Sequence, residues 1–186
     1  MKRWLCKKIL QWWGWKIEGE YPHHEKKNLV VAVPHTTNWD FPIGILLRNA
    51  YDFKTGFVGK DTLFKFPFGG FMRWMGGVPV NRSKSNNFVD AVVEAYNKRD
   101  EMTICIAPEG TRKRTDTLKT GFYYIAKGAN IPIVMIRFDW SRMTLTWSKP
   151  FFPTDDKDAD MEFIYAFFEG AVGKIPENSF RYAGDK

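Results

Sequence analysis

Short apolar runs alternate with helical patterns along most of this chain. Residues 29–33 are continuously apolar and mainly β-branched, which is typical of a strand buried on both faces. Residues 41–51 are mostly apolar and follow Thr and Asn residues that can cap a helix, so they predict a helix directly after that strand. Further strands are predicted at 76–80, 102–107, 131–136 and 143–147, and further helices at 88–98, 122–127 and 161–172. The pattern predicts a single α/β domain over residues 1–186, in which helices cover a mixed, largely parallel sheet.

The sequence also predicts where one helix ends, where a polar tail begins and which phenylalanines lie in the core. Gly128 is expected to close the helix at 122–127, because glycine is favoured just after a helix. The chain from Pro176 onward is polar, so we expect a tail there. Phe163, Phe167 and Phe168 stand at helical spacing and are predicted to lie in the core.

Composition narrows the class of protein. The chain has 28 Lys and Arg against 21 Asp and Glu, a net charge of +7, and 17% of its residues are aromatic. Its hydrophobic share of 44% is that of an ordinary globular protein, so a disordered chain is excluded. Cys6 and Cys105 lie far apart without metal-ligand spacing, which indicates a reducing compartment and argues against a zinc site. The positive charge suits anionic partners, although solubility alone also explains it.

The N-terminal residues 1–15 combine four Trp with Lys and Arg. They contain no long apolar core and no small-residue cleavage site, so a signal peptide is not expected. No segment of the chain has the run of about 18 apolar residues that a spanning helix needs. Two interpretations are open: a first helix docked on the core, or an interfacial helix whose Trp side chains face lipid. The second predicts lipid contact for Trp4, Trp12, Trp13 and Trp15.

Candidate chemistry begins with a His and an Asp after the first buried strand. His35 and Asp40 follow residue 33, at the end of a strand where α/β sheets bind their ligands. A carboxylate that accepts a hydrogen bond from one imidazole nitrogen leaves the other nitrogen free to take a hydroxyl proton. A simple helix-capping pair is the alternative, and the spacing alone does not decide between them.

Two further segments place charged residues after predicted strands. The turn Pro-Glu-Gly-Thr-Arg at 108–112 follows the strand at 102–107. The segment Gly-Val-Pro-Val-Asn-Arg at 77–82 ends in Arg82, whose guanidinium can bind a phosphate bidentately. No Gly-rich nucleotide loop is present, so these residues indicate a simple anion site or else solvated turn charges.

Taken in order, these segments resemble the motif blocks of the glycerolipid acyltransferases, the 1-acylglycerol-3-phosphate acyltransferase family. Residues 35–40 match its H-x-x-x-x-D block, 77–82 its G-x-x-x-x-R block, 108–112 its P-E-G-T-R block and 131–134 its V-P-I-V block. Residues 59–69 are similar to the segment that precedes the second block. The resemblance covers residues 29–140. Two departures, at 78–81 and at Ala107, concern the acceptor more than the chemistry.

The resemblance implies a glycerol-3-phosphate acyltransferase-like fold and a transfer reaction. A fatty acyl group would pass from a thioester, acyl-CoA or acyl carrier protein, to a hydroxyl of a lysophospholipid such as 1-acylglycerol-3-phosphate. By likeness to the family, His35 deprotonates the acceptor and Asp40 holds its imidazole. The implied substrate-binding residues are Lys60, Arg82, Glu109, Gly110, Thr111 and Arg112. No metal, other cofactor or covalent enzyme intermediate is implied.

The implied lipid substrate resides in a membrane. We therefore expect a cytoplasmic protein that is peripheral on the cytoplasmic face of a membrane, with acyl carrier protein as a candidate partner. Residues 63–75, rich in Phe and Met, are predicted to line an acyl groove or enter the lipid interface, with core packing as the alternative.

Other function classes stay open at this point. A lipid-binding protein of the same fold without turnover is one alternative, and acylation of a non-glycerol lipid such as an amino-acid lysolipid is another. A nucleic-acid-binding domain would use basic charge and exposed aromatics, and it would show no acyl transfer. We expect no nucleic-acid partner.

Overall fold

A computed structural model describes residues 2–53, 55–74, 76–80 and 88–182. The helices and strands in chain order are α1 (Arg3–Trp12), β1 (Lys16–Glu18), β2 (Lys27–Val33), α2 (Asp40–Tyr51), β3 (Thr55–Lys60), α3 (Gly69–Trp74), β4 (Gly77–Val80), α4 (Phe88–Asn97), β5 (Met102–Ile106), α5 (Gly121–Ala129), β6 (Ile133–Asp139), β7 (Thr144–Trp147) and α6 (Lys157–Phe168). Short 3-10 segments cover Asp61–Phe64 and Pro176–Asn178.

These strands form one seven-stranded sheet in the order β1-β7-β6-β2-β5-β3-β4. Neighbouring strands run parallel, except that β7 pairs antiparallel with β6. Strand β2 lies between β6 and β5, near the centre of the sheet. The predicted fold class, a mixed and largely parallel sheet covered by helices, is confirmed.

The burial of β2 on both faces explains its continuous apolar sequence. Leu29, Val31 and Val33 belong to one hydrophobic cluster, which includes side chains of α4, α5 and α6. Val30 belongs to a second cluster, which includes side chains of α1 and α2. A strand between two such layers needs apolar side chains at successive positions. The sheet is therefore the middle of three layers, with α1 and α2 on one side of it.

Predicted ends of helices α5 and α6 are wrong, and α6 ends at Phe168 rather than at residue 172. Helix α5 continues through Gly128 and is capped by Asn130, which adopts a left-handed conformation with φ 50°. A Cβ at Gly128 would lie 3.1 Å from a Val93 methyl group, so the missing side chain serves the packing of α5 on α4. Helix α6 begins earlier than predicted, because the Asp156 side chain accepts a hydrogen bond from the backbone N–H of Ala159 and caps it there.

The chain after α6 packs on the core, so the predicted polar tail is wrong. Ser179 and Phe180 are buried, and the Phe180 ring stacks on the Tyr165 ring with 5.6 Å between their centroids. One buried aromatic in a polar stretch creates no period that sequence analysis could detect. As a result, residues 169–182 form part of the fold rather than a free end.

Helix α1 docks on α2 and has both a buried and an exposed side. Cys6 and Leu10 are buried, whereas Trp4 and Trp12 are 67% and 85% exposed. Trp15 is only 4% exposed and packs edge-on against Trp140, so the prediction that Trp15 faces lipid is wrong. Among the described helices, none is long and apolar enough to cross a bilayer.

The aromatic side chains of residues 63–75 and of α6 differ in how far they are buried. In the segment 63–75, Phe66, Phe68 and Phe71 are exposed, which contradicts core packing for these three side chains. Of the phenylalanines predicted to be core, Phe168 is buried, whereas the prediction is wrong for Phe163, which is exposed and lies against the Phe151 ring. Phe167 is partly buried at the edge of the cluster that covers α6.

Candidate active site

The predicted site residues meet at one edge of the sheet. Strands β2 and β5 are parallel neighbours, with Val31 paired to Ile106, so their carboxyl ends lie side by side. The loop at 34–39 leaves β2 at this edge, and the turn at 107–112 leaves β5 there. This arrangement brings the His35 segment against the Glu109 turn, as parallel α/β sheets do at their ligand sites.

The His35 imidazole is held by Asp40, the first residue of α2. Nδ1 of His35 lies 3.0 Å from Oδ2 of Asp40. The same oxygen accepts hydrogen bonds from the backbone N–H groups of Thr36 at 3.1 Å and Thr37 at 3.0 Å. Because this carboxylate oxygen acts as an acceptor, we assign the ring proton to Nδ1. The lone pair then lies on Nε2, to which no described residue donates or accepts a hydrogen bond.

A tryptophan from a distant part of the chain completes the contacts of Asp40. The Trp140 indole donates from Nε1 to Oδ1 of Asp40 at 2.8 Å, across a separation of 100 residues. The Asp40 carboxylate is buried. It accepts hydrogen bonds from two backbone N–H groups and from the ring N–H groups of His35 and Trp140. Sequence analysis missed Trp140, since it lies outside the motif blocks and nothing local links it to Asp40.

Glu109 connects the two loops of the site. Its Oε2 accepts a hydrogen bond from the backbone N–H of His35 at 2.8 Å, and its side chain is buried. Burial raises the pKa of Glu109 from 4.5 to about 7; the contacts with His35 oppose this change, and the Asp40 charge adds to it. The Glu109 side chain therefore bonds to the backbone of His35 and not to its imidazole.

The rest of the Glu109 turn is exposed. Gly110 has φ 64°, and a Cβ there would collide with the Lys119 ammonium, so Lys119 lies over this glycine. Thr111 and Arg112 are exposed, and Arg112 forms no ion pair with any described residue. Lys119 is a cation that sequence analysis missed, because it comes to the turn from outside the block.

Two predicted binding residues lie elsewhere. Lys60 is the last residue of β3, and its side chain is outside the part that the structure describes. Arg82 also lies outside the described residues. The structure therefore brings together His35, Asp40 and Glu109, followed directly by the exposed residues 110–112.

An apolar cavity of about 260 Å³ lies beside His35, between the sheet and α2. His35, Asp40 and Pro34 line it at the carboxyl edge of the sheet, and its other lining is mainly aliphatic and aromatic. The apolar lining includes Val30, Ala32, Phe41, Ile45, Leu47, Phe53, Phe57, Ile136, Phe138 and Trp147.

Cys105 also lines the cavity, and its thiol is not activated. Burial raises the pKa of Cys105 to about 12, so the thiol stays protonated near neutral pH. A thiol is a poor nucleophile compared with a thiolate. The His35 imidazole, by contrast, keeps at this cavity a ring nitrogen, Nε2, that no described residue bonds.

Comparison with known proteins agrees with the motif blocks. The chain is similar to the 1-acyl-sn-glycerol-3-phosphate acyltransferases of Salmonella typhimurium (32% identical over 132 residues, 66% of this chain and 52% of the relative) and Escherichia coli (31%, with the same coverage). A similar enzyme of Haemophilus influenzae is 30% identical over 132 residues, 53% of its length. The chain spans about half the length of the relatives it matches.

The fold also has a solved counterpart. The crystal structure of the 1-acyl-sn-glycerophosphate acyltransferase of Thermotoga maritima superposes with a TM-score of 0.56 at 18% identity, covering 89% of this chain and 74% of that one. At this identity the likeness concerns the fold. The family model described as Acyltransferase matches residues 15–139, which include β2, α2, β5 and the His35, Asp40 and Glu109 positions. Since this match covers more than half of the sequence and contains the site, the chain belongs to the acyltransferase family.

Proposed function

We propose that this chain transfers a fatty acyl group from a thioester to a hydroxyl of a lysophospholipid such as 1-acylglycerol-3-phosphate. The observation that carries the proposal is the free Nε2 of His35 at the edge of an apolar cavity, with Nδ1 held by Asp40. A base beside an apolar cavity suits a reaction that needs both proton removal and an acyl chain.

His35 acts as the general base in this proposal. Nε2 takes the proton of the acceptor hydroxyl while that oxygen attacks the thioester carbonyl carbon. A carbon–oxygen bond forms, and the carbonyl electrons move onto its oxygen. When the carbonyl forms again, the carbon–sulfur bond breaks and the imidazolium returns the proton to the leaving sulfur. Such general-base catalysis contributes about 10²–10⁴-fold in rate, and it needs no metal, cofactor or covalent enzyme intermediate.

The cavity between the sheet and α2 takes the acyl chain. Its lining includes Ala32 and Ile136 from the sheet and Phe41 and Leu47 from α2, all of which offer apolar contact. His35 belongs to the same lining, so a chain placed there brings its carbonyl end to the base. We assign no role in acyl binding to residues 63–75.

The acceptor headgroup lies over the Glu109 turn. Arg112 is exposed and unpaired among the described residues, so its guanidinium is available to a phosphate. Thr111 offers a hydroxyl donor beside it, whereas the Gly110 N–H already donates to the Ala107 carbonyl. Gly110, Lys60 and Arg82 are further proposed contacts. Glu109 is assigned a supporting role, because its carboxyl group is buried and bonded to His35.

The proposal also includes the acyl donors and the location of the protein. Acyl-CoA and acyl carrier protein both present the thioester that the reaction requires. The exposed Trp4 and Trp12 on α1 support a peripheral position at a membrane, where the lipid acceptor resides, and we assign it to the cytoplasmic face.

The test is a panel of acceptors and donors, with products read by mass spectrometry. The purified chain is incubated with acyl-CoA or acyl carrier protein thioesters and with matched lysolipids that carry or lack a phosphate. We expect an acylated, phosphate-bearing lysophospholipid and release of the free thiol. Turnover restricted to phosphate-free acceptors would contradict the assigned acceptor, and lipid binding without any turnover would leave a binding protein of this fold.

A further inference from the structure

The chain segment 172–175, after α6, lies against the loop that holds His35. The backbone N–H of Ile175 donates to Oγ1 of Thr36 at 3.3 Å. A Cβ at Gly173 would collide with the Thr36 side chain, so only a glycine permits this approach. Thr36 in turn donates its backbone N–H to Asp40. The segment therefore supports one of the groups that orient Asp40.

The same segment also fixes Trp140. The backbone N–H of Trp140 donates to the carbonyl of Val172 at 2.8 Å. The edge of the Trp140 ring donates from Nε1 to Asp40, and Trp15 packs against this ring at 4.9 Å. Both the backbone and the ring of Trp140 are thus held, and its N–H remains directed at the carboxylate.

Lys174 lies over the faces of two indoles at this point. Its ammonium is 4.6 Å from the Trp39 ring centroid and 4.9 Å from the Trp140 ring centroid. A cation over an aromatic face is attracted by the ring's negative face. The same cation draws electron density from the ring, which makes the indole N–H a stronger donor to Asp40.

We propose that Trp140 and Lys174 are positioning residues for the His35–Asp40 pair. The proposal rests on the proposed acyl transfer, and it adds two residues that the family match at residues 15–139 does not contain. Lys174 holds the Trp140 ring, the Trp140 N–H holds Oδ1 of Asp40, and Asp40 holds Nδ1 of His35. The part of the chain after β6 thereby sets the orientation of the base.

The experiment compares Trp140→Phe with Trp13→Phe in the full chain. Trp140→Phe keeps a ring for Lys174 and Trp15 but removes the donor to Asp40. We expect kcat to fall about 10- to 100-fold, the range that one hydrogen bond to a charged group supports, with KM for both substrates changed less than about two-fold. Trp13→Phe is the control: it removes the N–H of an indole that is 39% exposed and that bonds to neither Asp40 nor Trp140 among the described residues, and kcat should stay near that of the wild type.

A second pair of variants tests the cation. Lys174→Met should lower kcat about three-fold, and Lys174→Arg should restore it, because Arg keeps a cation over the indoles. Lys157→Met is the control, since Lys157 lies over the Tyr124 ring away from the site. A rise in KM with unchanged kcat in Lys174→Met would assign Lys174 to anion binding and overturn its positioning role.

A spectroscopic readout separates this inference from the proposed reaction. In protein with ¹⁵N-labelled histidine, the ring N–H signal of His35, identified by its loss in His35→Ala, reports the bond to Asp40. We expect this signal to shift or broaden in Trp140→Phe and to stay in place in Trp13→Phe, whether or not a substrate turns over. An unchanged signal, or equal losses of kcat in both variants, would overturn the inference. Absence of turnover in the wild type would instead contradict the proposed function.

Discussion

At the scale of single residues, the site depends on which His35 nitrogen is free. The Asp40 carboxylate accepts from Nδ1, so Nε2 is left with a lone pair at the cavity edge. A base works only when its free nitrogen points at the hydroxyl, and the paired carboxylate fixes that orientation. The two residues therefore have different tasks, and their substitutions have different consequences.

Replacing His35 by Ala should lower kcat about 10²-fold or more, because the proposed base for the acceptor proton is lost. Asp40→Asn should also lower kcat, because the amide can hold the imidazole in the wrong tautomer. Steady-state kinetics with circular dichroism measures both effects. His24→Ala is the control, since His24 is exposed and precedes β2, whereas His35 follows the other end of that strand. Near-wild-type turnover of folded His35→Ala protein would contradict general-base catalysis by His35.

Glu109 makes the stability of the fold depend on pH. Its pKa is raised to about 7 from 4.5 by burial, so the folded state binds a proton more tightly than the unfolded state. The resulting contribution to the free energy of unfolding is fully present below pH 4.5 and is lost as the pH rises to about 7. The shift corresponds to about 3 kcal/mol across this window.

Glu109→Gln should remove this pH dependence, because the amide keeps an acceptor for the His35 N–H and does not ionise. Urea unfolding of both proteins below pH 4.5, between pH 4.5 and 7, and above pH 7 measures the difference in their free energies of unfolding across the window. We expect the wild type to lose stability relative to Glu109→Gln as the pH rises from 4.5 to about 7. A constant difference would show that Glu109 titrates in the folded state as it does in the unfolded state.

At the scale of elements, local sequence predicted most of the sheet and the His35–Asp40 pairing. The β2 run is apolar because both its faces are buried, so its pattern is visible without the fold. His35 and Asp40 lie within one loop and helix start, and short spacing therefore determines their contact. Glu109 was predictable as a site residue, since its turn also follows a strand at the same sheet edge.

The features that sequence analysis missed depend on tertiary packing. Trp140 reaches Asp40 across 100 residues, and the segment 172–175 reaches Thr36 from beyond α6. Helix α5 ends at Ala129 with Asn130 as its cap, and Gly128 remains helical where α4 packs closely against it. The cavity arises from the space between α2 and the sheet, which no single segment encodes.

Helix α2 offers a direct test of the acyl cavity at Gly44. Gly44 lines the cavity, and a Cβ there would meet no atom within 4 Å. Gly44→Leu should fill the cavity and shift the preferred donor to shorter acyl chains, as measured by mass spectrometry on a mixture of thioesters. Gly44→Ala is the control: it should stabilise the helix by about 0.5–1 kcal/mol and change the preference little. An unchanged preference for long chains in folded Gly44→Leu would place the chain elsewhere.

At the scale of the whole molecule, α1 and the site lie on the same side of the sheet. Arg3 at the start of α1 pairs with Asp52, just past the end of α2. Trp15, after the end of α1, packs on Trp140, which bonds to Asp40 at the start of α2. The two helices therefore run antiparallel, and the C-terminal end of α1 lies near His35. Membrane contact through α1 would bring the cavity edge close to the lipid acceptor.

Replacing both Trp4 and Trp12 by Ser should weaken membrane binding without opening the core, because both side chains are exposed. Deleting α1 would be a poorer test, since Cys6 and Leu10 are buried. Co-sedimentation with neutral and anionic vesicles measures binding. Wild-type binding to anionic vesicles should weaken with salt, as each Lys near the surface adds about 1 kcal/mol. Phe152→Ser, at an exposed aromatic next to the start of β6, is the control. If the double variant sediments like the wild type, α1 is only a core helix, and the exposed phenylalanines of residues 63–75 become the membrane-facing surface.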